Sequence, residues 1–521
     1  MKQFLKNDFF LLSLSFFLLI SVTIFQSIYQ DYTSIIDFDL TVIHNSLQLV
    51  SNQSPDFKDH TAYSQFLTIG LFYKLFSFFD HNLISNIDLL VKLENPELAL
   101  QKLYIVSRIA NSVIIFITII FFYKILNIFK IKKIYKILSI IFLVFSETFL
   151  ANLTILRADI FSICYFFASF FYLLNFVRNE KILNLFLVGF FMVFSLLAKV
   201  QIIFLYMFLF FFFVFYFANE KKNIVQKLDH KLMNSLLKYF LILFIFFYFL
   251  FQYYLNNIID SSSTVGYFDL FCFNIYFFIM FFTILLVFKT KKQSKDNLYN
   301  IFALILIFFI SQIFILKLLD ILNIIKIDFN IIFSVTNPFY FLKTYSTFID
   351  ERLSIILIQK IFITFFQNFN FNLIYFLILS IVFFISFFRI FFFRKEKILK
   401  YDLVYIILFA LITIFLITIN NFRYNIVYNF YSIPMFLLSI ALFQNLYNQK
   451  FKFILTPLIS FLFVFNFVIN LEDYKPYIYK TSNMEHVCKT RYIRDFYYDW
   501  ASNFDENFFK KICLNKNLLF K

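Results

Sequence analysis

Long apolar runs separated by short polar segments dominate the chain. Thirteen runs are about 17–25 residues long, the length of a helix that crosses a bilayer. Backbone polar groups in lipid must be satisfied within their own segment, so these runs predict α-helices. The pattern therefore predicts an all-α polytopic membrane protein with about 13 transmembrane helices. The candidate spans are residues 8–30, 104–127, 137–153, 157–177, 182–198, 200–218, 236–256, 266–288, 298–318, 371–393, 403–420, 431–447 and 452–470.

Two further apolar segments are predicted to lie in the membrane interface. Residues 63–79 stand between Asp-His pairs at 59–60 and 80–81, and counting them as a span would invert every later loop. Residues 353–366 are too short to cross comfortably. The expected organisation is a transmembrane domain over 1–470, with exterior loops at 31–103 and 319–370, followed by a small exterior tail at 471–521.

Composition agrees with the membrane class and limits how the helices pack. The 521 residues are 61% hydrophobic and include 91 Phe but only 3 Gly. With so few glycines, close GxxxG helix pairing is unavailable, so packing must depend on bulky side chains and hydroxyl groups.

The net charge of +16 follows the predicted topology. Clusters of basic residues fall at every second connection, the positive-inside pattern, which places the N-terminus in the cytoplasm. An odd number of spans puts the tail in the periplasm of a bacterial inner (plasma) membrane. The charge is then an orientation signal, and no nucleic-acid partner is predicted. The clusters lie at 130–136, 178–181, 221–238, 289–295, 394–400 and 450–452.

An acidic stretch follows the first span. Asp37 and Asp39 stand in an Asp-Phe-Asp motif at the mouth of the membrane domain. A carboxylate is costly to hold near lipid, so its presence there suggests a function. Either could act as a general base. The competing interpretation is that one of them, with Asp39 the better candidate, caps the helix beginning near Leu40.

Single cations stand in short exterior joints that otherwise carry almost no positive charge. They are Arg157, with Asp159 two residues later, Lys199, and Arg423, with Tyr424 beside it. An isolated cation of this kind can snorkel to the head groups. Three of them opposite an Asp-rich loop favour a shared anion site, because Arg and Lys both bind phosphate.

A base and several cations at one membrane surface suit group transfer from a phosphate-bearing lipid. A sugar linked to a lipid phosphate already has a good leaving group, so one carboxylate suffices to deprotonate the acceptor hydroxyl. Asp59 and His60 could orient the substrate. The spacing of His44, Asp59, His60 and His81 matches no metal motif, so no cofactor is predicted, with a divalent metal as the alternative. Cys488 and Cys513 in the tail are either a disulfide or two free thiols.

These motifs resemble the GT-C superfamily of integral-membrane glycosyltransferases, in particular the polyprenyl-phosphate-sugar-dependent branch that includes protein O-mannosyltransferases and aminoarabinose transferases. The similar elements are the acidic motif after the first span, the Asp59-His60 pair and the Arg157 entry to the fourth span. The Ala198-Lys199 turn and the Arg423-Tyr424 element are also similar. The resemblance implies inverting transfer from a polyprenyl-phosphate-sugar donor to a lipid, glycan or protein acceptor.

Other functional classes remain open on the sequence. A flippase or transporter of lipid-linked glycans would be expected to have charged or broken helices at mid-membrane, whereas the spans are almost free of charge. An O-antigen polymerase or ligase would be expected to have several exterior arginines. A purely structural membrane protein would leave Arg157, Lys199 and Arg423 without a role.

Overall fold

The computed structural model shows a helical protein throughout the part of the chain that it describes. That part contains helices, turns and short connections and no β-strand. The described residues are 2–29, 39–53, 62–80, 83, 85–93, 97–179, 181–199, 202, 205, 206, 208, 209, 212, 216, 378–388, 399–420 and 431–469.

Eleven helices with defined bounds occur in these ranges, and an apolar helical stretch, Ile378–Phe388, adds to them. The helices are α1 (Lys2–Tyr29), α2 (Asp39–Val50), α3 (Tyr63–Phe79), α4 (Ile87–Lys92), α5 (Glu97–Ile128), α6 (Lys133–Val144), α7 (Glu147–Thr154), α8 (Ala158–Asn179), α9 (Ile182–Ala198), α10 (Leu399–Asn420) and α11 (Ser432–Ile469).

Two helices among the described residues are long and apolar enough to cross a membrane. They are Leu98–Ile128 and Ala158–Asn179, with mean hydropathies of 2.2 and 1.9. Both coincide with predicted spans, and α9 has the predicted bounds of 182–198. The helical class is confirmed for these ranges, and two helices support the membrane assignment, whereas thirteen crossings stay a prediction.

The predicted span 137–153 is wrong as a single helix. α6 ends at Val144 and α7 begins at Glu147. Ser146 causes the break because its hydroxyl donates to the Leu143 carbonyl at 2.8 Å and accepts from the Phe149 amide at 3.4 Å. A serine in this position caps the second helix while closing the first.

The predicted spans 431–447 and 452–470 are also wrong as two separate helices. α11 runs through both as one helix of 38 residues, about 57 Å long at 1.5 Å per residue. Gln449, Lys450 and Lys452 between the apolar runs are good helix formers, and Pro457 lies inside the helix without ending it. Without a reversal at this point, the predicted number of crossings falls by one. The periplasmic placement of residues 471–521, which required an odd number, therefore no longer follows.

The predicted helix over 63–79 is present as α3 with those bounds. α3 packs against α2, α5, α8 and α9, and its first five residues, 63–67, are all buried. Leu71, Leu75, Phe78 and Phe79 are exposed on its C-terminal half. Three side-chain hydrogen bonds fix it to neighbouring helices: Ser64 to Phe194, Thr68 to Tyr165 and Tyr73 to Ser107.

α2 and α3 approach each other closely at Gly70. A Cβ atom at this position would lie 2.6 Å from Val50 Cγ2 and 3.1 Å from the Ser46 carbonyl oxygen. The absence of a side chain at residue 70 therefore allows α2, whose first residue is Asp39, to pack against α3.

Gly70→Ala is expected to destabilise the protein by about 1–3 kcal/mol, because overpacking at this contact outweighs the helix propensity of about 1 kcal/mol that alanine adds. Thermal unfolding in detergent measures the change. Val50→Ala in the same chain should recover part of the loss, since it removes the nearest methyl group. Equal losses in the single and double variants would rule out this contact as the cause.

Candidate functional site

The α8–α9 hairpin brings together two of the cations singled out in the sequence. The two helices pack against each other and are joined by a two-residue connection, so the start of α8 lies beside the end of α9. Arg157 immediately precedes α8, and Lys199 immediately follows α9. The Ser195 hydroxyl donates to the Ser162 carbonyl at 2.8 Å and fixes this end of the hairpin.

Asp159 joins the two cations. Its Oδ2 accepts from Lys199 Nζ at 2.7 Å and from Arg157 Nε at 3.2 Å. The carboxylate lies in the first turn of α8, where the positive end of the helix dipole favours a negative charge. The helix dipole and the two ion pairs therefore stabilise the carboxylate in the same position.

The carboxylate of the site has no exposed surface, whereas a small part of each cation is exposed. The Asp159 side chain is 0% exposed, whereas those of Arg157 and Lys199 are 10% and 13% exposed. An anion arriving from outside would meet the cations first. Asp159 would stay behind them and orient both.

Asp39 adjoins this site through the chain segment before Arg157. Its Oδ1 accepts from the Leu156 amide at 2.9 Å, and its Oδ2 lies 3.9 Å from Arg108 Nη2. The carboxylate of the acidic motif is thus one residue away from the Arg157 backbone. Asp39 is also the first residue of α2, and its role as a cap of that helix stays a prediction.

Tyr431, the residue before α11, also reaches the site. Its buried hydroxyl is within electrostatic range of Asp159 and Arg157, and it makes no hydrogen bond among the described residues. No sequence signal marks Tyr431, which is one of 33 tyrosines in the chain.

Sequence reasoning also missed Arg108, which lies within the predicted span 104–127. An arginine in an apolar run of this length was itself a signal, since such a residue needs a buried partner. Arg108 and Lys124 both show that this span is not free of charge, contrary to the argument made from the sequence against a transporter.

The remaining predicted site residues lie outside the described ranges. They are Asp37, Asp59, His60, Arg423 and Tyr424, and Cys488 and Cys513 lie outside as well. Within the described part of the chain, no group of three His, Cys, Asp or Glu side chains could hold a metal ion.

No family model, no curated protein and no solved structure matches the chain. The functional interpretation therefore depends on the residues and their geometry.

His44 lies in the interior of α2, with no exposed surface. Burial lowers its pKa from 6.5 to about 4, because desolvation disfavours the charged imidazolium. The folded protein holds His44 neutral at pH 5, while the unfolded chain binds a proton there. Stability is therefore present above pH 6.5 and is lost as the pH falls toward 4.

Lowering the pH from 7 to 5 is expected to reduce the free energy of unfolding by about 2 kcal/mol through His44 alone. Thermal unfolding in detergent at the two pH values measures the loss. His44→Leu is the comparison, since it fills the site without titrating, and its unfolding midpoint should change less over the same interval. An identical pH dependence in both proteins would contradict the assignment.

Asp159→Asn is expected to destabilise the protein by about 3 kcal/mol, because it leaves Arg157 and Lys199 in a mostly buried site without their counter-charge. Addition of Lys199→Met should restore part of the stability, since the Lys199–Asp159 ion pair is then removed as a whole. Thermal unfolding of the two single variants and the double variant tests this. If the double variant lost the sum of the two single losses, the ion network would not explain the effect.

Proposed function

We propose that the protein is a membrane glycosyltransferase that moves a sugar from a polyprenyl-phosphate donor to a lipid, glycan or protein acceptor. The observation that carries the proposal is the pairing of Arg157 and Lys199 on one carboxylate oxygen, beside the segment bonded to Asp39. A phosphate site and an acidic motif next to each other are what this reaction needs.

The cations account for the donor side of the reaction. In the donor, the bond between the anomeric carbon and the phosphate oxygen breaks, and negative charge grows on the departing phosphate. Arg157 and Lys199 face that charge with their exposed edges, and charge-assisted contacts of this kind stabilise it. Asp159 holds both cations in place before the donor arrives.

The acidic motif accounts for the acceptor side. A carboxylate, Asp37 or Asp39, removes the proton of the acceptor hydroxyl while the new glycosidic bond forms from the opposite face of the sugar, which inverts the anomeric centre. No proton has to be supplied to the leaving phosphate, so a second carboxylic acid is not required. Asp59, His60, Arg423 and Tyr424 complete the proposed substrate contacts.

The proposed setting is a polytopic body in a bacterial inner membrane, with the N-terminus in the cytoplasm and the site at the periplasmic face. The alternation of the basic clusters between residues 130 and 400 supports this orientation, whereas the cluster at 450–452 lies inside α11. Arg108 does not favour a transporter. It pairs with Asp39, which begins the helix after the first predicted span, so the pair belongs to this site.

Lipid mass spectrometry on cells with and without the protein should reveal a glycoconjugate that lacks one sugar in its absence. Asp37→Asn and Asp39→Asn are expected to abolish the transfer. Expression and membrane insertion should persist in Asp37→Asn, whereas Asp39→Asn also removes the buried counter-charge of Arg108. Full activity in the variant carrying both changes would reject the assignment of the base.

Purified protein is expected to bind farnesyl phosphate better than farnesol. Arg157→Gln and Lys199→Met should each weaken this binding about tenfold, equivalent to 1.4 kcal/mol, and higher salt should weaken it further. Lys124→Met is the matched control, because Lys124 lies over the rings of Phe121 and Phe171, away from the site. Equal affinity for the phosphate and the alcohol in the unmodified protein would reject the phosphate site.

A further inference from the structure

Arg108 is the largest side chain among those that are fully buried in the described part of the chain. It projects from α5 with its guanidinium 4.5 Å from the centre of the Tyr104 ring, and its Nη2 lies 3.9 Å from Asp39 Oδ2. A planar guanidinium can stack on a ring and face a carboxylate at the same time, which an ammonium group cannot do as well.

The other Asp39 oxygen holds the turn between α7 and α8. Oδ1 accepts from the Leu156 amide at 2.9 Å, and the next residue is Arg157. Inside the turn, the Arg157 amide donates to the Ile155 carbonyl at 3.1 Å. The position of Arg157 thus depends on where the Asp39 carboxylate lies.

α5 holds the same turn from a second position. Asn111, one helical turn after Arg108, donates from Nδ2 to the Asn152 carbonyl at 2.7 Å and to the Ile155 carbonyl at 3.3 Å. Residues three apart on a helix share a face. One face of α5 therefore supports the turn directly through Asn111 and indirectly through Arg108 and Asp39.

A buried ion pair makes this support difficult to release. Both side chains are nearly inaccessible, at 1% for Arg108 and 2% for Asp39. Movement of Asp39 away from the turn would leave Arg108 without this counter-charge in a low-dielectric environment, which is strongly unfavourable. The ion pair therefore couples α5 and α2 to the segment that carries Arg157.

We propose that Arg108 is a positioning residue that acts through Asp39 to hold the Ile155–Arg157 turn, and thereby sets where the Arg157 guanidinium meets the donor phosphate. The identity of that anion rests on the function proposed above. The support itself does not, because it consists of contacts within the chain.

Hydrogen exchange of the full-length protein, read by mass spectrometry over residues 155–157, tests the support without any ligand. Arg108→Met should accelerate exchange there about tenfold. Asp39→Asn added to Arg108→Met should slow it again, since the amide oxygen still accepts from Leu156 and no unpaired charge remains. Arg178→Met is the control, because Arg178 binds the Ile128 carbonyl and the Tyr216 hydroxyl at the other end of α8.

Unchanged exchange over 155–157 in Arg108→Met, or equal acceleration in Arg178→Met, would overturn the proposal. Arg108→Lys keeps the charge with weaker stacking and should give a smaller acceleration than Arg108→Met. It takes the place of Arg108→Met if that variant does not accumulate, and unchanged exchange in Arg108→Lys would then overturn the proposal.

Farnesyl phosphate binding provides the functional measurement. Arg108→Met should weaken it about tenfold, Arg108→Lys less, and Arg178→Met not at all. Accelerated exchange with unchanged binding would overturn the link to the phosphate. If the unmodified protein bound farnesyl phosphate no better than farnesol while exchange responded as expected, the support would stand and the proposed donor would be rejected.

Discussion

A carboxylate sealed in an apolar interior must have a counter-charge, and this requirement governs the described part of the site. Asp159 has no exposed surface, and both of its cations come from chain segments at the same end of the α8–α9 hairpin. The ion network can form only if the hairpin closes in the observed register. The same packing leaves a small part of each cation exposed. Folding and the anion site therefore share one constraint, since the residue that stabilises the hairpin also orients the groups that would bind phosphate.

α5 makes polar contacts of the same kind with α1, α2, α3 and α7. One stripe of the helix carries polar side chains at 107, 108, 111 and 112, in a segment otherwise suited to lipid. Each has a partner on a different element: Ser107 bonds to Tyr73 on α3, Arg108 faces Asp39 on α2, Asn111 bonds to the end of α7 and Ser112 bonds to Thr23 on α1. Side-chain hydrogen bonds supply specificity between apolar helices, where hydrophobic burial alone cannot distinguish one orientation from another.

The apolar pattern predicted helix positions well where charged residues bound an apolar run. Residues 182–198 have the predicted bounds, because an apolar run between Lys181 and Lys199 defines both ends. The pattern failed at Ser146, where a capping hydroxyl divides one run, and at Lys450, where helix-forming polar residues join two runs. It recovered Arg157, Asp159 and Lys199 as candidates by their charge. It could not predict that they share one oxygen, or that Arg108 faces Asp39, because those contacts depend on how distant segments pack.

The buried carboxylate also limits how strongly the proposed site holds its ligand. The sugar-bearing donor is a phosphodiester with one negative charge, whereas the lipid monophosphate left after transfer carries up to two. Two cations without a counter-charge would favour the more highly charged product and slow its release. Asp159 neutralises part of that field, while the exposed parts of Arg157 and Lys199 would still meet the proposed donor. Turnover requires charge stabilisation that is greatest as the bond breaks and weak enough afterwards for the product to leave. A carboxylate held permanently behind two cations satisfies both conditions.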